Sequence, residues 1–290
     1  MRGRTYPAAA VAGVLALLAA VTGPVAPAAA NPGPAGAGTS AVSAPGPDRQ
    51  APPGAVTYRE QGTRNPTGTC TFTTEGKRDA RKGPAVLFFT ELSYDPGTCS
   101  RTMARVEYSP DDVPPALARR FEQRDERGQE RTESGEKAPA PRSNAAAGEM
   151  TVIPFWVEAQ AWWEDKVYID LTMTRSRVSG AFVLEDLGRY GASYHESYWY
   201  WFDTSGWRRD SADNLFHADF YNALTNTVGT FSNPIFYLPG ICDGIGQVTY
   251  SGHPHTFVYY SAGFVGYSLV LERAGNCRAG MVENFAVWIA

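Results

Sequence analysis

The C-terminal half of the chain alternates apolar and polar positions with a period of two. Between residues 167 and 174 the odd positions are Val, Ile, Leu and Met, and the even positions are Tyr, Asp, Thr and Thr. Between residues 156 and 163 the odd positions are Val, Ala, Ala and Trp, and the even positions are Trp, Glu, Gln and Trp. This period is that of a β-strand. The acidic residues that separate the two runs predict a turn at 164–166.

Further strands follow the same pattern up to the C-terminus, with glycines between or beside them. They are predicted at 179–184, 196–202, 256–261, 265–271 and 283–289. Only the stretch 215–224 resembles a helix here. Regularly spaced strands without alternating helices predict a mostly β fold, with residues 150–290 forming an antiparallel sandwich- or barrel-like unit.

The region 56–110 predicts a second, smaller β unit. Its strands are expected at 56–60, 69–74, 85–92 and 102–108, between turns marked by glycine and proline. Such a unit has a small core, so a disulfide would stabilise it. The region 111–149 is rich in charge and then in Ala, Pro and Ser, which predicts a linker or an insertion. A short helix is expected near its start, with Leu117 and Phe121 on one face.

The first thirty residues have the order of a secretory signal peptide. Arg2 and Arg4 precede an apolar run at 8–21, and small residues at 28–30 offer a cleavage site. The apolar run would extend only about 21 Å as a helix, against about 30 Å for the hydrocarbon core of a bilayer. We therefore expect a secreted protein with no membrane span in the mature chain. Residues 31–55 are a Pro/Gly/Ala linker, which is expected to be disordered.

An extracellular location determines how the four cysteines are interpreted. Cys70, Cys99, Cys242 and Cys277 allow three disulfide pairings. We favour Cys70–Cys99 and Cys242–Cys277, because the other pairings would link the two halves across the charged middle. Each favoured pair closes a loop of about 30–35 residues, which contributes about 3–4 kcal/mol in the chain-entropy model. The spacing does not indicate a zinc site.

The charge excludes one class of ligand. The net charge is −4, and removal of residues 1–30 takes away two arginines and no acid, which gives −6. A net-negative chain without a basic cluster argues against nucleic acid, whose binding depends on neutralising phosphates. No cofactor motif is present, and the partner is unknown; an extracellular glycan or another cell-surface component is the first class to consider.

An aromatic run supplies the candidate binding residues. In a strand, Tyr198 and Tyr200 share one face, and Trp199 and Trp201 share the other. Trp207 follows after a turn and would join a surface on which sugar rings stack. The alternative is a central strand whose aromatic side chains fill the core on both faces. The sequence leaves these two interpretations open.

Two further groups of residues have weaker chemical signals. His253 and His255 would lie on one face of an extended strand, a geometry that metal sites use, but the sequence gives no third ligand by spacing. Three carboxylates, Glu164, Asp165 and Asp170, lie close to Trp162 and Trp163, a composition that glycosidase clefts share. No nucleophile elbow or phosphate-binding loop occurs, so no catalytic residue is assigned.

Several of these segments also carry a family resemblance. The run 161–165 (Ala-Trp-Trp-Glu-Asp), the run 169–172 (Ile-Asp-Leu-Thr), the run 199–201 (Trp-Tyr-Trp) and the pair 206–207 (Gly-Trp) resemble uncharacterised secreted β-rich proteins of actinobacteria. The resemblance covers about residues 156–290. It implies a secreted β-rich protein and carries no activity.

Three functions therefore stay open. The leading hypothesis is a non-catalytic extracellular binding or surface-interaction protein, with glycans as ligands. The first alternative is a secreted hydrolase of the glycosidase kind that uses the carboxylates near Trp162. The second is a secreted effector or toxin.

Overall fold

The computed structural model describes residues 49–119, 150–166, 169–238, 242 and 248–290, together with the backbone of 130–137. The predicted signal peptide at 1–30, all but the end of the linker at 31–55, and much of the charged segment at 111–149 lie outside the described residues. Within the described part of the chain, no helix has the length and apolar character needed to cross a membrane.

The described residues form two antiparallel sheets, as the alternation of the sequence predicts. In chain order the strands are β1 (Val56–Gln61), β2 (Thr63–Arg64), β3 (Cys70–Asp79), β4 (Ala85–Asp95), β5 (Ser100–Tyr108), β6 (Glu130–Lys137), β7 (Val152–Asp165), β8 (Asp170–Val183), β9 (Arg189–Trp201), β10 (Arg208–Ala218), β11 (Asn222–Asn233), β12 (Thr249–Ser261), β13 (Phe264–Ala274) and β14 (Met281–Ile289).

The eight-stranded sheet has the order β1-β5-β4-β14-β7-β8-β9-β6, and the six-stranded sheet has the order β10-β11-β12-β13-β3-β2. The inner faces of the two sheets pack on each other, and β7, β8 and β9 lie against β11 and β12. The fold is therefore a sandwich of two open sheets, and the predicted mostly β class is confirmed.

Both sheets take strands from both halves of the chain. Strand β3 pairs with β13, and strand β4 pairs with β14. The small unit predicted at 56–110 is therefore not separate from 150–290, because its strands complete the same two sheets. The charged stretch predicted as a linker also supplies β6, which pairs with β9.

The prediction of a helix at 215–224 is wrong. This segment holds the end of β10, a turn, and the start of β11. The carboxylate of Asp219 accepts hydrogen bonds from the backbone N–H groups of Tyr221 and Asn222, each 2.8 Å long, and so closes the turn. Pairing of β10 with β11 and of β11 with β12 supplies backbone hydrogen bonds along the sheet, which outweighs the local helical pattern. The short helix expected after Asp111 is present in the described residues 115–119, and Phe121 lies outside the described part of the chain.

Both predicted disulfides are confirmed. Cys70 pairs with Cys99, which joins the start of β3 to the turn before β5 and so links the two sheets near one edge. Cys242 pairs with Cys277, which joins the segment after β11 to the turn before β14. The described residues include no free cysteine.

A layer of hydroxyl side chains lies in the middle of the sandwich. We call this set the hydroxyl layer; its members are Thr172, Thr174, Ser176 and Ser197 from the eight-stranded sheet and Thr227, Ser251 and Thr256 from the six-stranded sheet, all fully buried. Thr174 and Thr256 share a hydrogen bond of 2.7 Å across the two sheets. Ser176 donates to Thr227 at 2.6 Å. Direct hydrogen bonds therefore replace apolar packing along this part of the interface.

Candidate functional site

The aromatic run of β9 divides between the two faces of the eight-stranded sheet, as alternation requires. Trp199 lies in the core between the sheets, where its Nε1 donates to the backbone oxygen of Val228 at 2.7 Å. Trp201 is half-buried on the same side, under the guanidinium of Arg209. Trp207 is 1% exposed and packs beside Phe236. The predicted stacking surface of three tryptophans is therefore not formed, because two of the indoles fill the core.

Tyr198 and Tyr200 point to the other face of the same sheet, which we call the outer face. Tyr198 is buried against Trp162 and Met173, and Tyr200 is half-buried beside them. The sequence therefore identified two residues of a shared aromatic face.

The outer face is ordered by the register of β14, β7, β8 and β9. Directly opposed residues on these strands form four rows: Trp156, Ser179 and Tyr194 in the first; Trp288, Glu158, Arg177 and Glu196 in the second; Ala286, Gln160, Arg175 and Tyr198 in the third; Asn284, Trp162, Met173 and Tyr200 in the fourth. Neighbouring strands lie about 4.8 Å apart, and successive rows about 7 Å apart.

The accessible part of the outer face is its first row together with Trp288 and Arg177 of the second row, whereas Glu158 and Glu196 of the second row are buried. Tyr194 is 60% exposed, and Trp156 and Trp288 are half-buried. The guanidinium of Arg177 lies 5.0 Å above the ring of Trp156. The part of this face that solvent reaches therefore consists mainly of aromatic side chains and the guanidinium of Arg177.

The carboxyl group of Glu158 has the most unusual environment on this face. Burial raises its pKa from 4.5 to about 7, and the nearby charge of Glu196 acts in the same direction. A hydrogen bond of 2.8 Å from Gln160 Nε2 and the charge of Arg177 oppose the shift. Glu158 therefore keeps its proton to a much higher pH than an ordinary glutamate does.

Glu196 lies on the same row with a different partner. It forms an ion pair with Arg175, and both side chains are almost fully buried. The two carboxyl groups of this row thus have different neighbours: Glu158 lies beside the amide of Gln160, and Glu196 lies beside the guanidinium of Arg175. Such contrast is typical of acid–base pairs at functional sites.

Several polar atoms of the outer face have no hydrogen-bond partner within the described residues. They include Trp156 Nε1, Gln160 Oε1 and Asn284 Nδ2, all of them buried atoms. Buried polar groups in proteins are almost always paired, so such atoms indicate bound water or a ligand. Of these three, Trp156 and Gln160 lie two positions before and after Glu158 on β7, whereas Asn284 opposes Trp162 on the fourth row.

The carboxylates predicted from the sequence hold the turn after β7. Glu164 accepts a hydrogen bond of 2.7 Å from Trp162 Nε1 and pairs with Arg49 at 3.0 Å. Asp165 accepts a hydrogen bond of 2.9 Å from the backbone N–H of Ile169. Asp170 opens β8 and is half-buried. The bonds of Glu164 and Asp165 therefore stabilise the turn and the segment around Arg49.

The two candidate metal ligands are not brought together. A register shift in β12 sends His253 into the interior, where its Nε2 lies 3.2 Å from Thr172 Oγ1. His255 lies against the ring of Phe257. Burial lowers the pKa of His253 to about 3 and that of His255 to about 4. Among the described residues, no group of three or more His, Cys, Asp or Glu is placed to hold a metal ion.

A cleft of about 820 Å³ lies between the edges of the two sheets, at β1, β3 and β5. Its charged lining residues are Glu60, Glu75, Arg105 and Glu107, and two of these carboxylates pair with arginines beside the cleft. Arg101 donates two hydrogen bonds of 2.9 and 2.8 Å to Glu60, and Arg78 donates to Glu107 at 2.7 Å. The carboxylates of Glu60 and Glu107 are therefore engaged in ion pairs within the fold.

Sequence reasoning missed Glu158 and Glu196 as a pair. Their positions on polar faces could be read from the alternation, but the two residues are 38 positions apart in the sequence, and only the register of β7, β8 and β9 aligns them. The comparisons with known proteins add no constraint, and the resemblance to secreted actinobacterial proteins stays a prediction. No protein-family model matches the chain, and no curated protein or solved structure is significantly similar to it.

Proposed function

We propose that this protein is an extracellular glycan-binding protein that holds its ligand on the outer face of the eight-stranded sheet. The observation that carries the proposal is the combination of half-exposed aromatic rings with unpartnered polar atoms on the first three rows. Trp156 and Tyr194 border the face, and Gln160 Oε1 is an acceptor without a partner among the described residues.

The chemistry of a sugar fits such a face. A pyranose ring has apolar C–H surfaces, which pack on aromatic planes, and a rim of hydroxyl groups, which need donors and acceptors. Trp156 and Trp288 lie on adjacent strands and adjacent rows, so a sugar ring beside them also meets the half-buried guanidinium of Arg177. Rigid strands hold these groups in place, which reduces the entropy lost on binding.

The extracellular part of the proposal rests on the sequence and on the disulfides. The first thirty residues have the order of a signal peptide. Two disulfides within the described chain are compatible with an oxidising compartment.

A glycan array with the full chain tests the proposal. We expect binding to at least one class of oligosaccharide, and at least a tenfold loss of affinity in Trp156→Ala and in Tyr194→Ala. Tyr221→Ala is the matched control, because Tyr221 is a similarly exposed aromatic residue on the β10–β11 turn, away from the outer face.

Two results would overturn the proposal. One is an array without signal at high protein concentration. The other is a bound glycan whose affinity falls as much in Tyr221→Ala as in Trp156→Ala, because binding would then not depend on the outer face.

A further inference from the structure

We propose that the edge of β3 along residues 73–79 is a docking site for an extended peptide of another protein, which adds a strand to the six-stranded sheet. We call this stretch the β3 edge. The inference goes beyond glycan binding and does not depend on it, because it uses a different surface of the sandwich. The ligand is recognised by its backbone and by the charges of two side chains.

The chain divides between the two sheets at Gly62. The two residues of β2, which follow Gly62, pair with the start of β3, whereas β1, which precedes it, pairs with β5 in the other sheet. A Cβ atom on Gly62 would lie 2.6 Å from the ring of Phe72, so the chain passes close to β3 at this point. Because packed sheets lie about 10 Å apart, β1 then moves away from β3 and leaves the β3 edge uncovered.

The β3 edge has unpaired backbone groups. Its other side pairs with β13 in a register without a shift, from Cys70 opposite Arg273 to Asp79 opposite Phe264. In an antiparallel pair, alternate residues direct their backbone N–H and C=O groups away from the partner strand. None of the strands in the described chain pairs with these groups along 73–79, and the stretch contains no proline. Such an edge is a template for a further strand.

The cleft between β1 and β3 gives an added strand room for its side chains. Its volume is about 820 Å³, and both strands line it. At the end near Gly62, the guanidinium of Arg101 donates to Glu60 at 2.8 Å and to Thr74 at 3.3 Å, and so joins the two walls. Alternate side chains of an added strand point into this cleft. There they meet Val56, which is 69% exposed, and the half-buried Tyr58, so apolar residues suit these positions.

The other face of the β3 edge specifies charge. Glu75 and Lys77 lie on it, both exposed, and Glu75 forms no ion pair with any described residue. Opposite charges on neighbouring strands stabilise their pairing, and like charges destabilise it. A peptide antiparallel to β3, as β2 is, therefore fits best with a basic residue opposite Glu75 and an acidic residue opposite Lys77. Apolar residues at the positions between complete the description of the ligand.

The test uses two fluorescein-labelled peptides of identical composition, Thr-Val-Glu-Val-Lys-Val-Thr and Thr-Val-Lys-Val-Glu-Val-Thr. Only the first, when antiparallel to 73–79, places its Lys opposite Glu75 and its Glu opposite Lys77. Fluorescence anisotropy with the full chain is expected to show about fivefold tighter binding of the first peptide. The variant that carries both Glu75→Lys and Lys77→Glu is expected to reverse this preference. Asp213→Lys, on the exposed edge strand β10, is the matched control and keeps the wild-type preference.

Backbone pairing is tested separately from charge. Methylation of the backbone nitrogens of either the odd or the even residues of the first peptide removes the donors from one of its two edges. We expect one methylated peptide to lose at least tenfold in affinity and the other to bind within about threefold of the parent. Hydrogen exchange followed by mass spectrometry is expected to show that the first peptide protects residues 73–79 and leaves 208–218 unchanged.

Several results would overturn this inference. They are failure of both peptides to bind, equal binding of the parent and both methylated peptides, an unchanged preference in the variant with both charges reversed, and protection at 208–218 instead of 73–79. None of them bears on the glycan proposal. Conversely, Trp156→Ala is expected to bind the first peptide as the wild type does, so a failed glycan array leaves the β3 edge standing.

Discussion

Glu158 makes the stability of the fold depend on pH in a direction opposite to that of most carboxylates. In Glu158→Gln the side chain keeps its shape and its contact with Gln160 but loses its ionisation. We therefore expect this variant to become more stable than the wild type as the pH rises, whatever its effect on glycans.

The sign and the size follow from the environment of the carboxyl group. Below pH 4.5 both the folded and the unfolded chain carry the proton, so the stability is fully present. Between about pH 4.5 and 7 the unfolded chain loses its proton while the folded protein retains it. The free energy of unfolding then falls by about 1.4 kcal/mol per pH unit. Above pH 7 the loss is complete and amounts to about 3 kcal/mol.

Urea unfolding followed by tryptophan fluorescence, at pH 4 and at pH 8, measures the effect. The difference in unfolding free energy between Glu158→Gln and wild type is expected to shift by about 3 kcal/mol in favour of the variant between these pH values. Glu75→Gln serves as the control for the loss of one carboxylate. A Glu158→Gln difference that is the same at both pH values would refute the reasoning.

The remaining predictions concern the packing of the sandwich. Replacing Cys70 and Cys99 by Ser opens a loop of 29 residues and is expected to cost about 3–4 kcal/mol, measured by chemical denaturation of the oxidised wild type and the variant; a loss below 1 kcal/mol would contradict it. Thr227→Val leaves several hydroxyl and carbonyl partners in the hydroxyl layer unpaired, and we expect it to lower the free energy of unfolding by about 1–3 kcal/mol. An unchanged denaturation midpoint would show that these hydrogen bonds do not stabilise the fold. Gly76→Ala would place a Cβ 2.6 Å from Tyr267 Oη, so the ring must move; a changed near-ultraviolet circular dichroism spectrum is expected, and an identical one would argue against this contact.

The fold class could be predicted because strand periodicity is local. The alternation in 156–163 and 167–174 identifies the faces of β7 and β8, and the loop lengths favour the observed disulfides. The pairing of β3 with β13 and of β4 with β14 could not be predicted, since nothing in a strand specifies a partner far along the chain. For this reason the sequence predicts a separate unit at 56–110.

The site was predicted only in part for the same reason. Tyr198 and Tyr200 were placed on one face from their spacing alone. Whether a tryptophan is buried in the core or exposed on the surface depends on what packs against it. Trp199 is buried because the six-stranded sheet lies over it. The alignment of Glu158 with Glu196 required the register of three strands.

The hydroxyl layer has a consequence for how the protein responds to temperature. The heat-capacity change of unfolding grows with the apolar surface exposed and falls with the polar surface exposed. An interface built partly from Ser and Thr side chains, such as the contact of Thr174 with Thr256, exposes less apolar surface than a fully aliphatic one. The free energy of unfolding of this sandwich is accordingly expected to change more slowly with temperature, per residue, than that of a sandwich with a fully aliphatic interface.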